Sequence, residues 1–189
     1  AKKPESTHDF GKDVIPSTIG KDRVFAFPFI DENKKETKYW RDIGTIEAYY
    51  EANMDLVNIE PVLNLYDSQW PIRTFQEQLP PVKTVFSFGE RTGMILDSIV
   101  SGGCIISGGK VIRSVLSPWV RINSYADVSE SILLNNVNIG RYCKIRKTII
   151  DKNVSVPQGT IIGYDPVEDK KRFFVSETGI AVIPKDYQW

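Results

Sequence analysis

The chain has 189 residues, with 24 Lys and Arg against 24 Asp and Glu, so its formal net charge is zero. A balanced chain exerts no long-range pull on nucleic acid or on an anionic membrane, and neither is expected as a partner. With 41% hydrophobic and 25% charged residues it has the make-up of a globular protein, and no apolar run nears the roughly 18 residues of a membrane span.

The N-terminal AKKPESTHDF lacks the apolar core of a secretion signal, so a cytoplasmic protein is expected. Residues 1–55 mix short apolar runs and loops with one convincing helix. In HDFGKD (8–13), Asp9 either caps a short helix over residues 10–15 or acts with Phe10 on a ligand. The next such pairing is KYWRDIGT (38–45), where Trp40 and Asp42 stand just ahead of a helix. That helix is predicted from about Thr45 to Asn53, with Thr45 as N-cap and Ile46, Tyr49, Tyr50 and Asn53 at helical spacing. A helix start favours a nearby anion or metal-bound phosphate. Residues 56–92 hold Pro61, Pro71, Pro80 and Pro81, which break any long element, so this stretch is a linker and lead-in.

Residues 93–163 carry an internal repeat. DSIVSGGCIISGGKVI (97–112), RSVLSPWVRINSYADV (113–128), ESILLNNVNIGRYCKI (130–145) and KTIIDKNVSVPQGTII (147–162) start 16, 17 and 17 residues apart. Four columns are apolar in every block: Ile99, Val115, Ile132 and Ile149; Cys104, Val120, Val137 and Val154; Ile106, Ile122, Ile139 and Val156; Ile112, Val128, Ile145 and Ile162. Apolar, mostly β-branched residues every five or six positions suit short strands joined by corners, three to a coil, each coil dropping its apolar residues into a shared interior. The expected fold is mostly β, a parallel β-helix of the hexapeptide-repeat kind. An antiparallel sandwich would not keep so constant a period. Gly102, Gly103, Gly108, Gly109, Gly140 and Gly159 are the expected corner residues, and the first of the four columns is expected to form an inward-facing ladder. Pro80–Gly93 leads into the first coil. Residues 164–189, with a charged helical piece near Pro166–Phe173 and a strand at GIAVI (179–183), are expected to cap the last one.

Chemistry-bearing residues are few. Cys104 and Cys143 are the only cysteines and fall in or near apolar columns, so both are expected to be buried hydrophobes. His8 is the only histidine, which excludes a multi-histidine metal site. An aromatic beside a carboxylate, as in Phe10 with Asp9 and Trp40 with Asp42, suits a sugar: the ring packs on an apolar face and the carboxylate accepts hydroxyl hydrogen bonds. Asp42 has alternatives, holding a divalent cation through oxygen or pairing with Arg41 or Arg23. Lys152, Lys170, Lys171, Arg172 and Lys185 form either a phosphate pocket or a solvated charged face.

HDFGKDVIP (8–16), YWRDIGTIEAYYEANMDL (39–56), WPIRTF (70–75), PPVK (80–83), SIVSGGCIISG (98–108), GRYCKIRKTIIDKN (140–153), KRF (171–173) and SETGIAVI (176–183) together resemble the ADP-glucose pyrophosphorylase, or glucose-1-phosphate adenylyltransferase, family. The resemblance covers this whole chain but only the C-terminal part of that family, a little under half. The GGxGTRL-like loop for the ATP phosphates is absent. The resemblance therefore implies a piece of a longer enzyme, inactive alone, that makes ADP-glucose and pyrophosphate from ATP and glucose 1-phosphate with Mg²⁺ for glycogen or starch synthesis. It implies that residues 1–55 belong to a Rossmann-like α/β nucleotidyltransferase domain. It implies that residues 93–189 form a left-handed parallel β-helix for regulation and oligomerisation, in a homotetramer. By the same resemblance Asp9, Phe10 and Trp40 bind the sugar phosphate and Asp42 is catalytic through the metal. Lys152 and Lys185, with Arg172 as a weaker third, bind a phosphorylated effector.

Two other functions compete. One is a non-catalytic module of the same ancestry that binds effectors and its own copies. The other is a neighbouring hexapeptide family, a uridylyltransferase with acetyltransferase activity. The absence of a histidine from all four blocks argues against the latter.

Overall fold

The computed structural model describes residue 4 and residues 6–30, 38–69 and 71–189. Trp70 of the WPIRTF stretch lies outside the described residues. Two compact units divide the chain, residues 1–39 and residues 40–189.

In the smaller unit Asp9 opens a π-helical turn, Phe10–Val14, which runs into one α-helical turn, α1 (Ile15–Thr18). The Asp9 side chain caps the amide of Lys12 at 2.8 Å, and its carbonyl accepts the amides of both Asp13 and Val14. The capping alternative read from the sequence is thus realised at Asp9.

The larger unit is a parallel solenoid. One face consists of β1 (Lys83–Val85), β6 (Ile105–Ser107), β9 (Arg121–Ile122), β12 (Asn138–Ile139) and β15 (Ser155–Val156). A second face has β4 (Met94–Leu96), β7 (Lys110–Ile112), β10 (Asp127–Ser129), β13 (Lys144–Arg146) and β16 (Ile161–Ile162). The third has β5 (Ile99–Val100), β8 (Val115–Leu116), β11 (Ile132–Leu133), β14 (Thr148–Ile150), β18 (Ala181–Ile183) and, antiparallel at its edge, β17 (Phe174–Val175). A hairpin of β2 (Ser87–Phe88) and β3 (Arg91–Thr92) interrupts the first coil. Each coil pairs its strands with the coils above and below, which satisfies backbone groups that would otherwise form open edges.

Two inward columns match the sequence reading: Cys104, Val120, Val137 and Val154, and Ile106, Ile122, Ile139 and Val156, are all at most 3% exposed. Each fully buried aliphatic side chain contributes about 1.5–3 kcal/mol. Two expectations need correction. Ile99, Val115, Ile132 and Ile149 do stack in register, but they face outward. Their neighbours Leu116, Leu133 and Ile150 point into the core instead. Strand side chains alternate, so one residue's shift reverses the face. The other correction concerns Ile112, which is half-buried. Val111 holds the inward place, in register with Val128, then Ile145 and Ile162. The corner between β6 and β7 is one residue shorter than its counterparts, and the 16-residue step in the sequence arises there.

Corners turn through left-handed residues stacked in columns. One column is Gly103, Trp119, Asn136 and Asn153, another Gly108, Tyr125, Tyr142 and Gly159, and the third Asp97, Arg113, Glu130 and Lys147, all with positive φ. Most are not glycine. Tyr125 and Tyr142 stack with ring centroids 4.8 Å apart, and Asn136 donates to Asn153. Gly109 and Gly140 do not have positive φ. There a Cβ would sit 2.7 Å from backbone atoms of the next coil, so close approach explains the residue.

The third corner also holds a ladder of hydroxyls. Ser114, Ser131 and Thr148 are fully buried. Each donates to the carbonyl two residues back, and Ser98, Ser114 and Ser131 each accept the amide of the hydroxyl residue in the next coil.

Helix α2 (Ile46–Asp55) lies on the outward ladder. Thr45 accepts the amide of Ala48, as its N-cap role predicts. Ile46, Tyr49, Tyr50 and Met54 share one helical face and pack against Ile132, Ile149 and Ile180. At the far end the cap contains α3 (Pro166–Lys170), started by Asp165, and an aromatic cluster of Phe173, Tyr187 and Trp189.

Candidate functional site

In the smaller unit Phe10 is 73% exposed and follows the capping Asp9. Nearby Asp13 accepts hydroxyl hydrogen bonds from Thr7 and Ser6, and these, Thr7 first, hold its carboxyl below the usual range.

In the larger unit Trp40 and Asp42 lie on an exposed loop, with the Trp40 ring 79% exposed. Oδ1 of Asp42 accepts the Gly44 amide at 3.0 Å, an Asx-type turn that leads into the Thr45 cap. Gly44 suits this turn, since a Cβ there would come within 3.2 Å of that oxygen. Arg41, read as a partner for Asp42, instead reaches Asp55 at 2.9 Å and Glu51 at 3.8 Å on α2.

A different pair of sequence candidates meets at the end of the third face. Lys152 follows β14 and Lys185 follows β18. Asp151 accepts the amide of Lys152 at 2.7 Å and the amide of Lys185 at 3.3 Å. Its own amide donates to the carbonyl of Ile183. Both ammonium groups are exposed; that of Lys185 lies 3.9 Å from Asp186. Asp151 was missed in the sequence, because the residue it ties to Lys152 belongs to the cap, outside the repeat.

Arg172 sits elsewhere, in the cap. Its guanidinium lies over Phe173 at 4.6 Å and near Trp189 at 5.9 Å, and its carbonyl accepts the Tyr187 hydroxyl. It lines an open cavity of about 510 Å³ with Asp165, Glu168 and Asp169. Burial pushes the Asp169 carboxyl up, although the Gly163 amide donates to it. Lys171 is paired with Glu168.

Both cysteines are fully buried, as expected, and donate to the carbonyls of Ser117 and Pro157. Burial pushes both thiols up, which makes them poor nucleophiles. Among the described residues no cluster of three or more His, Cys, Asp or Glu could hold a metal ion. No described helix is long and apolar enough to cross a membrane.

Three-strand coils stacked in parallel, with β-branched columns inside and a capped end, define a hexapeptide-repeat solenoid. The family model described as GlmU-like, C-terminal hexapeptide matches residues 80–183, and the chain belongs to that family. Ahead of it, residues 1–59 match the model described as nucleotidyl transferase. Over almost its whole length the chain is similar to proteins named glucose-1-phosphate adenylyltransferase. That of Koribacter versatilis is 54% identical over 187 residues, covering 99% of this chain and 45% of the relative. That of Rhodopirellula baltica is 57% identical over 189 residues, covering 98% and 42%. That of Nitrosospira multiformis is 51% identical over 183 residues, covering 95% and 43%. The chain thus spans a little under half the length of the curated relatives it matches.

Proposed function

We propose that the chain works as the C-terminal portion of a cytoplasmic adenylyltransferase that makes ADP-glucose and pyrophosphate from ATP and glucose 1-phosphate for glycogen or starch synthesis. The observation that carries this reading is the identity of 51–57% with three proteins of that name across nearly all of this chain. In the reaction a phosphate oxygen of glucose 1-phosphate attacks the α-phosphorus of ATP in line. The new P–O bond forms as the bond to the β-phosphate bridging oxygen breaks, and pyrophosphate leaves. Positioning and charge stabilisation supply most of the catalysis.

In the smaller unit the exposed Phe10 ring offers an apolar face for a sugar and Asp9 a carboxylate for its hydroxyls. In the larger unit Trp40 is the residue that the family resemblance assigns to the sugar phosphate. Asp42 fits as one oxygen ligand of Mg²⁺. Its carboxylate is exposed, and only one oxygen is engaged by the Gly44 amide. Mg²⁺ is commonly held by one or two carboxylates plus substrate phosphates, so a lone carboxylate suffices. When bound, the ion offsets charge on the transferring phosphoryl group. Lys152 and Lys185, brought together by Asp151, form the anion site for a phosphorylated effector. Arg172 faces carboxylates in the cap, a setting that favours a packing role over phosphate binding. The assembly in this reading is a homotetramer.

The test is the full-length enzyme carrying this chain, assayed for ADP-glucose. Activity is expected, with severe loss in Asp42→Ala; an undiminished variant removes the metal assignment. The second reading, an effector-binding and oligomerisation module without catalysis, is favoured by the Lys152–Asp151–Lys185 arrangement alone. It would be upheld by effector binding in a full-length protein that makes no ADP-glucose.

A further inference from the structure

We infer that the solenoid positions the Trp40–Gly44 loop through helix α2, with Arg41 and Tyr50 as the side chains that fasten the loop to the helix and the helix to the solenoid. The inference rests on the proposed role of Trp40 and Asp42, and neither fastening residue belongs to the ligand-binding set named for that role.

The geometry supports each link. Arg41 lies five residues before the first helical residue of α2, yet its guanidinium reaches Asp55, the last residue of that helix, and Glu51 one turn earlier. Glu51 and Asp55 share a helix face, so the chain at Arg41 must double back along α2. At the other side of Asp42, the Gly44 amide and the Thr45 cap hold the backbone at the helix start. The loop is thus tied at both ends to one rigid element.

The helix is tied in turn. Tyr50 donates its hydroxyl to the carbonyl of Glu130 at 2.7 Å. Glu130 is a corner residue with φ +46°, and its amide bonds to Ile112 of the preceding coil. Tyr50 therefore engages a backbone site that the stack itself holds. Ile46, Tyr49 and Met54 lie on the outward ladder around it. The ladder gives this contact its strength, but apolar packing is non-directional, and a smooth aliphatic stripe leaves the helix able to slide. The Tyr50–Glu130 hydrogen bond supplies the direction and fixes where along the stripe the helix sits. A displacement of about 1 Å in a positioned group can cost a hundredfold in rate. A helix fixed in one place is therefore worth more to the loop than a helix merely attached.

The consequence is selective. Trp40 and Asp42 serve the sugar phosphate and the metal, so loosening the loop raises KM for glucose 1-phosphate and the Mg²⁺ concentration for half-activation. At saturating Mg²⁺, KM for ATP rises less than KM for glucose 1-phosphate.

The experiment has two arms. In the first, hydrogen exchange is followed on this chain as wild type, Tyr50→Phe, Arg41→Ala and Arg41→Lys. Faster exchange of the amides at residues 42–48 is expected in Tyr50→Phe and Arg41→Ala, with β8, β11 and β14 still protected. Arg41→Lys should recover part of the protection. In the second, the full-length enzyme carries the same substitutions. A rise of about tenfold in KM for glucose 1-phosphate is expected in Tyr50→Phe and Arg41→Ala, with a smaller change in KM for ATP at saturating Mg²⁺. Unchanged exchange at residues 42–48 overturns the inference whatever the activity. Faster exchange with an unchanged KM for glucose 1-phosphate, or an equal rise for both substrates, also overturns it. Failure of the underlying reading shows differently: Asp42→Ala would stay active while exchange in the fastening variants still quickened.

Discussion

Lys152 and Lys185 are held by one carboxylate, their backbone amides bonding to opposite oxygens of Asp151 at 2.7 and 3.3 Å. One lysine ends a strand of the last full coil and the other ends the strand that the cap adds to it, and those strands, β14 and β18, pair in register. The backbones of the two lysines are therefore held just past neighbouring strand ends, at a spacing set by the sheet.

If the pair binds a phosphorylated metabolite, Lys152→Ala and Lys185→Ala each weaken it by about 1–3 kcal/mol, the range for a charge-assisted contact. Asp151→Ala is the sharper test. Removing a negative charge beside two lysines would raise affinity for an anion if field alone mattered. Loss of the shared anchor is expected to lower it instead. Calorimetry with fructose bisphosphate, phosphoglycerate and AMP on the three variants reads both effects, and tighter binding by Asp151→Ala would show that the anchor does not matter.

Tyr50 makes a prediction about pH. Burial, then the nearby Glu130 carboxylate, pushes its phenol up to about 12 from the ordinary 10. Between those values the folded protein keeps a proton that the unfolded chain gives up. Its contribution is thus fully present below pH 10 and is lost as pH rises toward about 12. The loss amounts to at most about 2 kcal/mol, since the group is only half-buried. Tyr50→Phe should be less stable than wild type by about 1 kcal/mol at neutral pH, because the Glu130 carbonyl loses its donor. That gap should close as pH passes 10. Urea unfolding of both proteins at pH 7 and across pH 9–12 measures it; a constant gap would contradict the shift.

The coils were legible in the sequence because two interior columns are filled by apolar residues in every block. The orientation of the third face was not. There two apolar residues stand side by side in each coil, such as Ile132 and Leu133, and periodicity cannot tell which one faces inward when both sides are covered. The cover is α2, whose existence and Thr45 cap were readable from local spacing. Its seat on Ile132, Ile149 and Ile180 depends on contacts between distant segments. The same distance hid Asp151 and the Arg41–Asp55 pair. The hydroxyl column at Ser98, Ser114, Ser131 and Thr148 was in plain view, but small polar residues at corners read as turn formers.

The reversed face can be tested by a pair of substitutions. Leu133 is fully buried in the main core, whereas Val115, on the outward ladder, is half-buried. Leu133→Ala should cost about 2–5 kcal/mol and Val115→Ala less than about 1 kcal/mol. Denaturant midpoints at unchanged slope provide the comparison. An inward-facing Val115 would give a loss approaching that of Leu133→Ala.

The hydroxyl ladder predicts a cost where apolar reasoning expects none. Ser131 is fully buried, donates to the carbonyl of Ser129 and accepts the amide of Thr148. Alanine would fit the space and even add apolar character, yet it leaves the buried Thr148 amide without its acceptor, while the Ser129 carbonyl keeps the Lys147 amide. The loss should be about 1–3 kcal/mol, the penalty for an unsatisfied buried polar group. Threonine already holds the equivalent place at Thr148, where its hydroxyl makes the same donation to Arg146. Ser131→Thr should therefore keep most of the stability that Ser131→Ala loses. Chemical denaturation of the two variants decides the matter: equal stability would mean that the ladder contributes nothing to holding the coils together.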